Sequence, residues 1–418
     1  MKEGWEIVIL KDIFSKVNGL WTGKKEPFVD VKVYTMTNFT KDSFLDKQKE
    51  PREIVASLSQ FKKRKLLKDD ILVEKSGGGP NQPVGRAVLF DIENEENNTF
   101  SNFTTRLRLN EHFKDKISPS FVHHFLRLKY VNGETEQFQK NSTNIRNLQL
   151  DKYLDQSFSF PPLPEQQRIV SILDEAFTAI AKAKANAEQN LKNAKELFES
   201  YLQGVFENGN WDWEVKCLDE LGTITSSKRI YKSEYVKDGV PFYRTKEIKE
   251  LSNGKPITLE LFISKDRYEQ IKKSFGVPQI GDLLMSAVGT IGEIMVIENE
   301  NEFYFKDGNI VWFKDFQRLD TNYLKYALTA FVEKIKSLAI GAAYSALTIE
   351  KLNKYEIAFP KTKEEQQTIV RQLDALRAET QKLEAVYQKK IADLEELKKS
   401  ILQKAFAGEL KTEKAVAV

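Results

Sequence analysis

Two stretches of this chain are near-copies of one another at an offset of 200 residues, and that repetition limits the architecture more than any single motif does. Residues 157–177 read SFSFPPLPEQQRIVSILDEAF, and residues 356–377 read EIAFPKTKEEQQTIVRQLDALR. Glu165-Gln166-Gln167 returns as Glu365-Gln366-Gln367. The register then holds through Ile169-Val170 and Ile369-Val370, Leu173-Asp174 and Leu373-Asp374, Glu196-Leu197 and Glu396-Leu397, and Leu202-Gln203 and Leu402-Gln403. A fold built from this chain must accommodate the same long element twice.

Both copies open with helix-start chemistry. Pro161, Pro162 and Pro164 stiffen the chain before Glu165, whose carboxylate sits in a first turn facing the amide dipoles. Thr362 and Glu365 have capping-box spacing. Downstream, the apolar positions Ile169, Leu173, Ala176, Ile180, Ala183, Ala187, Leu191, Ala194, Phe198, Tyr201 and Val205 follow a coiled-coil seam with one stutter after Ala183. The second copy repeats the seam at Ile369, Leu373, Leu376, Thr380, Leu383, Tyr387, Ile391, Leu394, Lys398, Ile401 and Ala405. Four positions that are alanine in the first seam are large in the second: Ala176/Leu376, Ala183/Leu383, Ala187/Tyr387 and Ala194/Leu394. One slim and one bulky helix suit pairing with each other; packing of each on its own domain is the alternative. If those positions line the seam, the C-terminal half of the chain should self-associate more tightly than the N-terminal half. The residues expected to carry helix pairing are Ile169, Leu173, Ile180, Leu191, Ile369, Leu373, Leu376, Leu383 and Leu394. About 40 residues of helix make a rod of ~60 Å, long enough to act as a spacer.

The regions between the rods are related more weakly. Trp5-Glu6 matches Trp213-Glu214, Asp70-Ile71-Leu72-Val73 resembles Asp282-Leu283-Leu284-Met285, and Gly85-Arg86-Ala87-Val88-Leu89 resembles Gly292-Glu293-Ile294-Met295-Val296. These segments are short, β-rich and punctuated by Gly and Pro, with helical stretches near 121–130 and 322–338. The expected boundaries are a head at 1–155, a helix at 156–211, a second head at 212–355, a second helix at 356–410 and a flexible tail at 411–418.

Composition narrows the class. With 418 residues, 41% hydrophobic and 30% charged, the chain has the makings of more than one hydrophobic core and is not a low-complexity sequence. No apolar run is long enough to span a membrane and no signal-peptide layout opens the chain, so a cytoplasmic protein without membrane contact is expected. The lone Cys217 cannot form an internal disulfide, and His112, His123 and His124 lack metal-ligand spacing.

Catalytic motifs are scarce. Gly19-Leu20-Trp21-Thr22-Gly23-Lys24-Lys25 lacks the spacing of a phosphate loop and the hydroxyl residue after its lysine. No Asn/Asp-Pro-Pro-aromatic segment offers to hold a flipped base. A nuclease-like set at Asp238, Glu247 and Lys249 is what chance gives in a chain rich in both charges.

Recognition chemistry is better represented. The net charge of +3 says little, but Phe61-Lys62-Lys63-Arg64-Lys65 and Ser227-Lys228-Arg229-Ile230-Tyr231-Lys232 mix cations with aromatics, as a phosphate-binding surface does and as a solvated face also can. In Glu74-Lys75-Ser76-Gly77-Gly78-Gly79-Pro80-Asn81-Gln82-Pro83-Val84-Gly85-Arg86, three glycines permit close backbone approach, and Asn81, Gln82 and Arg86 carry the donor and acceptor sets that read base edges. A tight structural hairpin is the competing explanation for the glycines. Ser286-Ala287-Val288-Gly289-Thr290-Ile291-Gly292 occupies the same place in the second head, and Tyr243-Arg244-Thr245-Lys246 pairs with Tyr34-Thr35-Met36-Thr37-Asn38.

The two-head, two-rod plan with its PLPEQQ and KEEQQ helix starts resembles the specificity (S) subunit of type I restriction–modification enzymes over nearly the whole chain. LWTGKKEPF, EKSGGGPNQPVGRAVLF and KSEYVKDGVPFYRTKEI are similar to segments of that family's target-recognition domains. The resemblance implies an α/β (α+β) tandem repeat: two globular target-recognition domains, each followed by a long helix, with the helices paired as an antiparallel coiled coil. It implies a non-catalytic reader of double-stranded DNA, each head taking one half of a split, asymmetric site. Its partners would be two methyltransferase subunits and restriction/translocase subunits. No cofactor is expected in this chain; S-adenosylmethionine, ATP and Mg would belong to the partners. A structural adaptor that pairs proteins through its coiled coil is the alternative. On the DNA reading, Asn81, Gln82, Arg86, Arg244 and Lys246 are the candidates for base contact. Lys24, Lys62, Arg64, Ser76, Gly77, Gly78, Lys228, Arg229, Ser286 and Thr290 are those for backbone contact.

Overall fold

The computed structural model describes residues 4–79, 82–93, 96–142, 145–207, 212–338 and 347–410. The chain forms two compact units that do not follow chain order: residues 1–187 with 389–418, and residues 188–388. Among the described residues no helix is long and apolar enough to cross a membrane.

In the first unit, a four-stranded antiparallel sheet runs in the order Phe14–Asn18, Thr104–Leu109, Ile71–Glu74, Ala87–Leu89. A second sheet places Phe28–Tyr34 between antiparallel Arg52–Ser57 and parallel Asn98–Phe100. The run Ile71-Leu72-Val73 is apolar throughout because both its faces are covered: Ile71 and Val73 join one core with Phe121 and Leu107, and Leu72 joins another with Phe90 and Phe100.

The second unit repeats the plan. Thr223–Thr225, Ile310–Lys314, Leu283–Ser286 and Ile294–Val296 form an antiparallel sheet of the same order. Val240–Tyr243 again has one antiparallel and one parallel neighbour. The matched aspartates open the central strands in the same way. Asp70 Oδ2 accepts from Leu67 N, and Asp282 Oδ2 from Gln279 N, each at 2.8 Å. The residue before each has positive φ, 72° at Asp69 and 93° at Gly281. Asp70 then pairs with Arg108 at 2.7 Å, whereas Asp282 accepts from Trp312 Nε1 at 2.8 Å.

The middle glutamine of each repeated motif explains why the helix starts are alike. Gln166 is fully buried; its Oε1 accepts from Ser118 N at 2.8 Å, and its Nε2 donates to Lys116 O and Pro161 O, both at 2.7 Å. Gln366 is equally buried, accepts from Asp320 N at 2.7 Å and donates to Arg318 O at 3.2 Å and Pro360 O at 2.9 Å. Each glutamine thus locks a long helix to the loop that starts the head's own helix, Pro119–Val131 or Thr321–Leu338. Eight residues on, Asp174 Oδ1 lies 3.2 Å from His124 Nε2, and Asp374 Oδ1 accepts from Tyr326 Oη at 2.5 Å.

The long helices are Leu163–Glu207 and Lys363–Ala407, 45 residues each, about 67 Å at 1.5 Å per residue. They pair antiparallel, one section in each unit. In the first unit Ile169, Leu173 and Ile180 share a core with Leu402 and Ala405, and Lys184 bonds Glu395 at 2.5 Å. In the second, Leu202 shares a core with Val370 and Leu373, and the Arg377 guanidinium lies 5.6 Å from the Phe198 ring. The helices therefore pack on each other and on the heads at once.

The seam departs from the expected one in its second half. Leu202 and Leu402 are buried where Tyr201 and Ile401 were expected, because a second four-residue step follows Phe198 and Lys398. Leu383 is 41% exposed and is not a seam residue: from buried Thr380 the inward line steps to half-buried Glu384 and Tyr387, leaving Leu383 on the flank. Leu191, Ile369, Leu376 and Leu394 are half-buried, while Ala187 and Ala194 are buried.

Candidate nucleic-acid interface

Loops from separate elements meet at one end of each head. In the first, the turn after Phe14–Asn18 lies against the turn before Thr104–Leu109. Gly19 N donates to Thr104 O at 3.1 Å, and a Cβ on Gly19 would fall 1.8 Å from Ser101 O, so no side chain fits there. Asn18 gathers the neighbours: its Oδ1 accepts from Lys75 Nζ at 3.1 Å and Thr105 Oγ1 at 2.9 Å, and its O accepts from Arg64 Nε at 2.9 Å. Lys75 N donates to Phe103 O at 2.9 Å, and Leu148 N to Lys75 O at 2.7 Å. Trp21, 67% exposed, and Phe103 stand out from this surface. Lys24 and Lys62 are exposed on the turn and on the helix Leu58–Arg64. That turn packs on the helix, since a Cβ on Gly23 would come within 2.8 Å of Ser57 Cβ and 3.1 Å of Gln60 Cγ.

The second head has the corresponding cluster. Gly308 N donates to Ser226 Oγ at 3.1 Å, Ala287 N to Asn309 O at 2.8 Å, Lys306 N to Tyr243 O at 2.9 Å and Leu347 N to Ala287 O at 3.3 Å. Lys228, Arg229, Tyr231 and Thr290 are exposed around it. Arg229 is held by Asp307 at 2.7 Å.

Several candidate residues serve the fold. Arg86 is 8% exposed; its Nε faces Glu74 Oε2 at 3.3 Å, its Nη1 donates to Thr40 O at 3.1 Å and its guanidinium lies 5.6 Å from the Phe39 ring. Such a side chain does not reach a base edge. Burial raises the Glu74 carboxyl pKa, and the Arg86 charge opposes that rise. Ser286 is fully buried, accepting from Glu293 N at 3.0 Å and donating to Thr290 O, and so closes its own loop. Arg64 is spent on Asn18 O, Gly19 O and Gln60 Oε1.

Arg244 bonds Glu247 and Glu260 at 2.7 Å each, and Lys246 bonds Glu260 at 2.8 Å. These hydrogen bonds, Lys246 first, hold the Glu260 carboxyl down to about 2. The two cations are neutralised locally, and Glu247, 2% exposed, anchors Arg244. Gln82 is exposed, Ser76 half-buried, Gly77 exposed and Gly78 buried, whereas Asn81 lies outside the described residues. One element went unnoticed in the sequence: the hairpin of Gln139–Ser142 and Ile145–Leu148, which pairs with Ser76–Gly78. Its polar residues on both faces hide the usual strand alternation, and its only signal is the turn-forming run Asn-Ser-Thr-Asn.

Exposed cations and aromatics ringing a backbone-rich surface suit contact with phosphate and base. Comparison with known proteins agrees with the repeat. The type I restriction modification DNA specificity domain matches residues 2–192 and again 210–393. The chain is 27% identical to S.HindORF215P of Haemophilus influenzae over 266 residues, 61% of this chain and 64% of that protein. It is 23% identical to the type I restriction enzyme MjaVIII specificity subunit of Methanocaldococcus jannaschii over 98% of this chain and 93% of that one. For the EcoBI specificity subunit of Escherichia coli the figures are 24% over 71% and 67%. In fold it is similar to a chain from a type I R-M system, with a TM-score of 0.75 at 20% identity over 98% of this chain and 99% of that one. The HsdS subunit from Thermoanaerobacter tengcongensis gives 0.61 at 19% identity over 98% of each. With both heads and most of both helices inside the family match, the chain belongs to the type I restriction modification DNA specificity family, whose domain it carries twice.

Proposed function

We propose that this chain is the DNA sequence-specificity subunit of a type I restriction–modification complex. Each head reads one half of a bipartite, asymmetric duplex site, and the paired helices set the unread spacer and hold two methyltransferase subunits, with restriction subunits joining the full assembly. The chain contributes recognition rather than chemistry; S-adenosylmethionine, ATP and Mg act on the partner subunits, in the cytoplasm. The observation that carries this reading is the duplicated head plan with unlike surfaces at matched loops. Trp21, Lys24, Lys62 and Gln82 are exposed on one, and Lys228, Arg229, Tyr231 and Thr290 on the other. Two different readers on one frame suit two different half-sites.

The test is duplex binding by the chain assembled with its methyltransferase subunits, measured at two salt concentrations. With about six phosphate contacts, affinity should fall roughly a thousand-fold between 50 and 200 mM salt. Absence of duplex binding would favour the adaptor reading instead.

A further inference from the structure

The hairpin beside the glycine strand forms a surface whose two faces differ. Gln139–Ser142 pairs with Ile145–Leu148, which pairs in turn with Ser76–Gly78, and the register places Lys140 opposite Asn147 and Asn147 opposite Ser76. The pairing shifts at Gly77, whose φ of 102° strains any residue with a side chain, so this is a bulge suited to glycine. Alternation sends the neighbouring residues inward. Leu148 is buried, Gln139 Nε2 donates to Val84 O at 2.9 Å and Arg146 Nη1 reaches Glu136 Oε2 at 3.3 Å.

On the opposite face, Lys140 is exposed with no ion-pair partner among the described residues, and Ile145 is 47% exposed. Ser76 Oγ donates to Asn147 Oδ1 at 2.6 Å, which fixes the amide and leaves its two N–H donors for another molecule. A Cβ on Gly79 would meet no atom of the described residues within 4 Å.

We propose that this outward face is the base-reading surface of the first head, centred on the row Ser76, Asn147 and Lys140. The proposal rests on the reading of the chain as a DNA-specificity subunit. A major groove about 12 Å wide admits a β-ribbon; Asn and Lys donors match purine edges, and an exposed isoleucine matches a thymine methyl. The cations Lys24 and Lys62 serve the phosphates.

The experiment selects bound duplexes from a randomised pool with the chain assembled with its methyltransferase subunits, for wild type, Asn147→Ala, Lys140→Ala and Lys62→Ala. Asn147→Ala and Lys140→Ala should each lose about 5- to 150-fold on the wild-type site and leave one or two adjacent base pairs of a single half-site unspecified. Lys62→Ala should weaken all sequences alike. Should Asn147→Ala unfold the head, Asn147→Asp keeps the acceptor for Ser76 and replaces the amide donors with a carboxylate; its charge lowers affinity for all sequences, and on top of that the same base pairs should lose their specification. Retention of the wild-type consensus by the Lys140 and Asn147 variants, or a loss spread evenly over all sequences, overturns the proposal. Failure of the wild-type assembly to select any consensus overturns the DNA-specificity reading and the proposal with it.

Discussion

Glu74 and Arg86 sit on adjoining segments, tied by Glu74 N to Arg86 O and Gly85 N to Glu74 O, both at 2.8 Å. Their side chains form a buried ion pair, and the energetic consequence of breaking it is one-sided. Arg86→Ala leaves a buried carboxylate without its cation, which costs about 3–5 kcal/mol when one partner of such a pair is removed. Urea unfolding should register that loss, while the base preference of any folded fraction stays that of the wild type; an unaltered midpoint would show that the pair is not a structural element. In the sequence, Arg86 read as a base-contacting group because its residue type suits guanine, and nothing local reveals that Glu74, twelve residues earlier, faces it. The same holds for Ser286, whose partners Thr290 and Glu293 are visible only once the loop closes. Residue type says what a side chain can do; burial decides whether it is free to do it.

The long helices were legible as elements because an apolar line that must stay buried recurs every turn, and because one helix start, with a glutamine that bonds three backbone groups, occurs in both copies. Their starts were readable from Pro and Glu placement, but their C-terminal ends and their facing were not. A stutter moves the buried line by about one position, and apolar residues on the flank, such as Leu383, look like seam residues when only spacing is counted. Leu383→Asp, placing a carboxylate on a 41% exposed flank, should therefore shift thermal stability little, within about 0.5 kcal/mol. Leu402→Asp, in a fully buried position, should cost several kcal/mol by leaving a carboxylate in an apolar core. Thermal unfolding of the two variants side by side checks this, and equal destabilisation would mean that Leu383 does line the pairing surface. The hairpin at 139–148 is the counterexample among elements: with polar groups on both faces it gives no periodicity to read, and its place is set by the glycine strand some seventy residues earlier.

Each unit draws on both halves of the sequence, so neither half completes a core alone. A fragment 1–211 lacks Leu402, Ala405 and Phe406, for which a second copy offers Leu202, Val205 and Phe206. It also exchanges the Lys398–Asp42 and Lys184–Glu395 ion pairs for Phe198 and Lys195; partly exposed pairs of this kind are worth about 0–1 kcal/mol each. A fragment 212–418 must instead place Lys398 where Phe198 lies 6.3 Å from Tyr326 and 5.6 Å from the Arg377 guanidinium, setting cation against cation and losing a ring pair worth about 0.5–1.5 kcal/mol. The N-terminal fragment should accordingly dimerise more tightly in sedimentation at matched concentrations, the reverse of what the sizes of Leu376, Leu383, Tyr387 and Leu394 suggest. A tighter C-terminal dimer would restore those residues to the seam. What was legible at this scale was duplication; what was not was that the units cut across it, since a core shared by Leu173 and Leu402 leaves no mark on local sequence. The proposal that two unlike heads on one frame read two unlike half-sites is tested most directly by mapping methylated bases in cells that express the chain with its methyltransferase subunits, with the wild-type first head and with that head replaced by another of the family. Two short specified blocks at a fixed spacing, of which the exchange alters only one, is the predicted result; a single continuous block, or a change in both blocks at once, would contradict it.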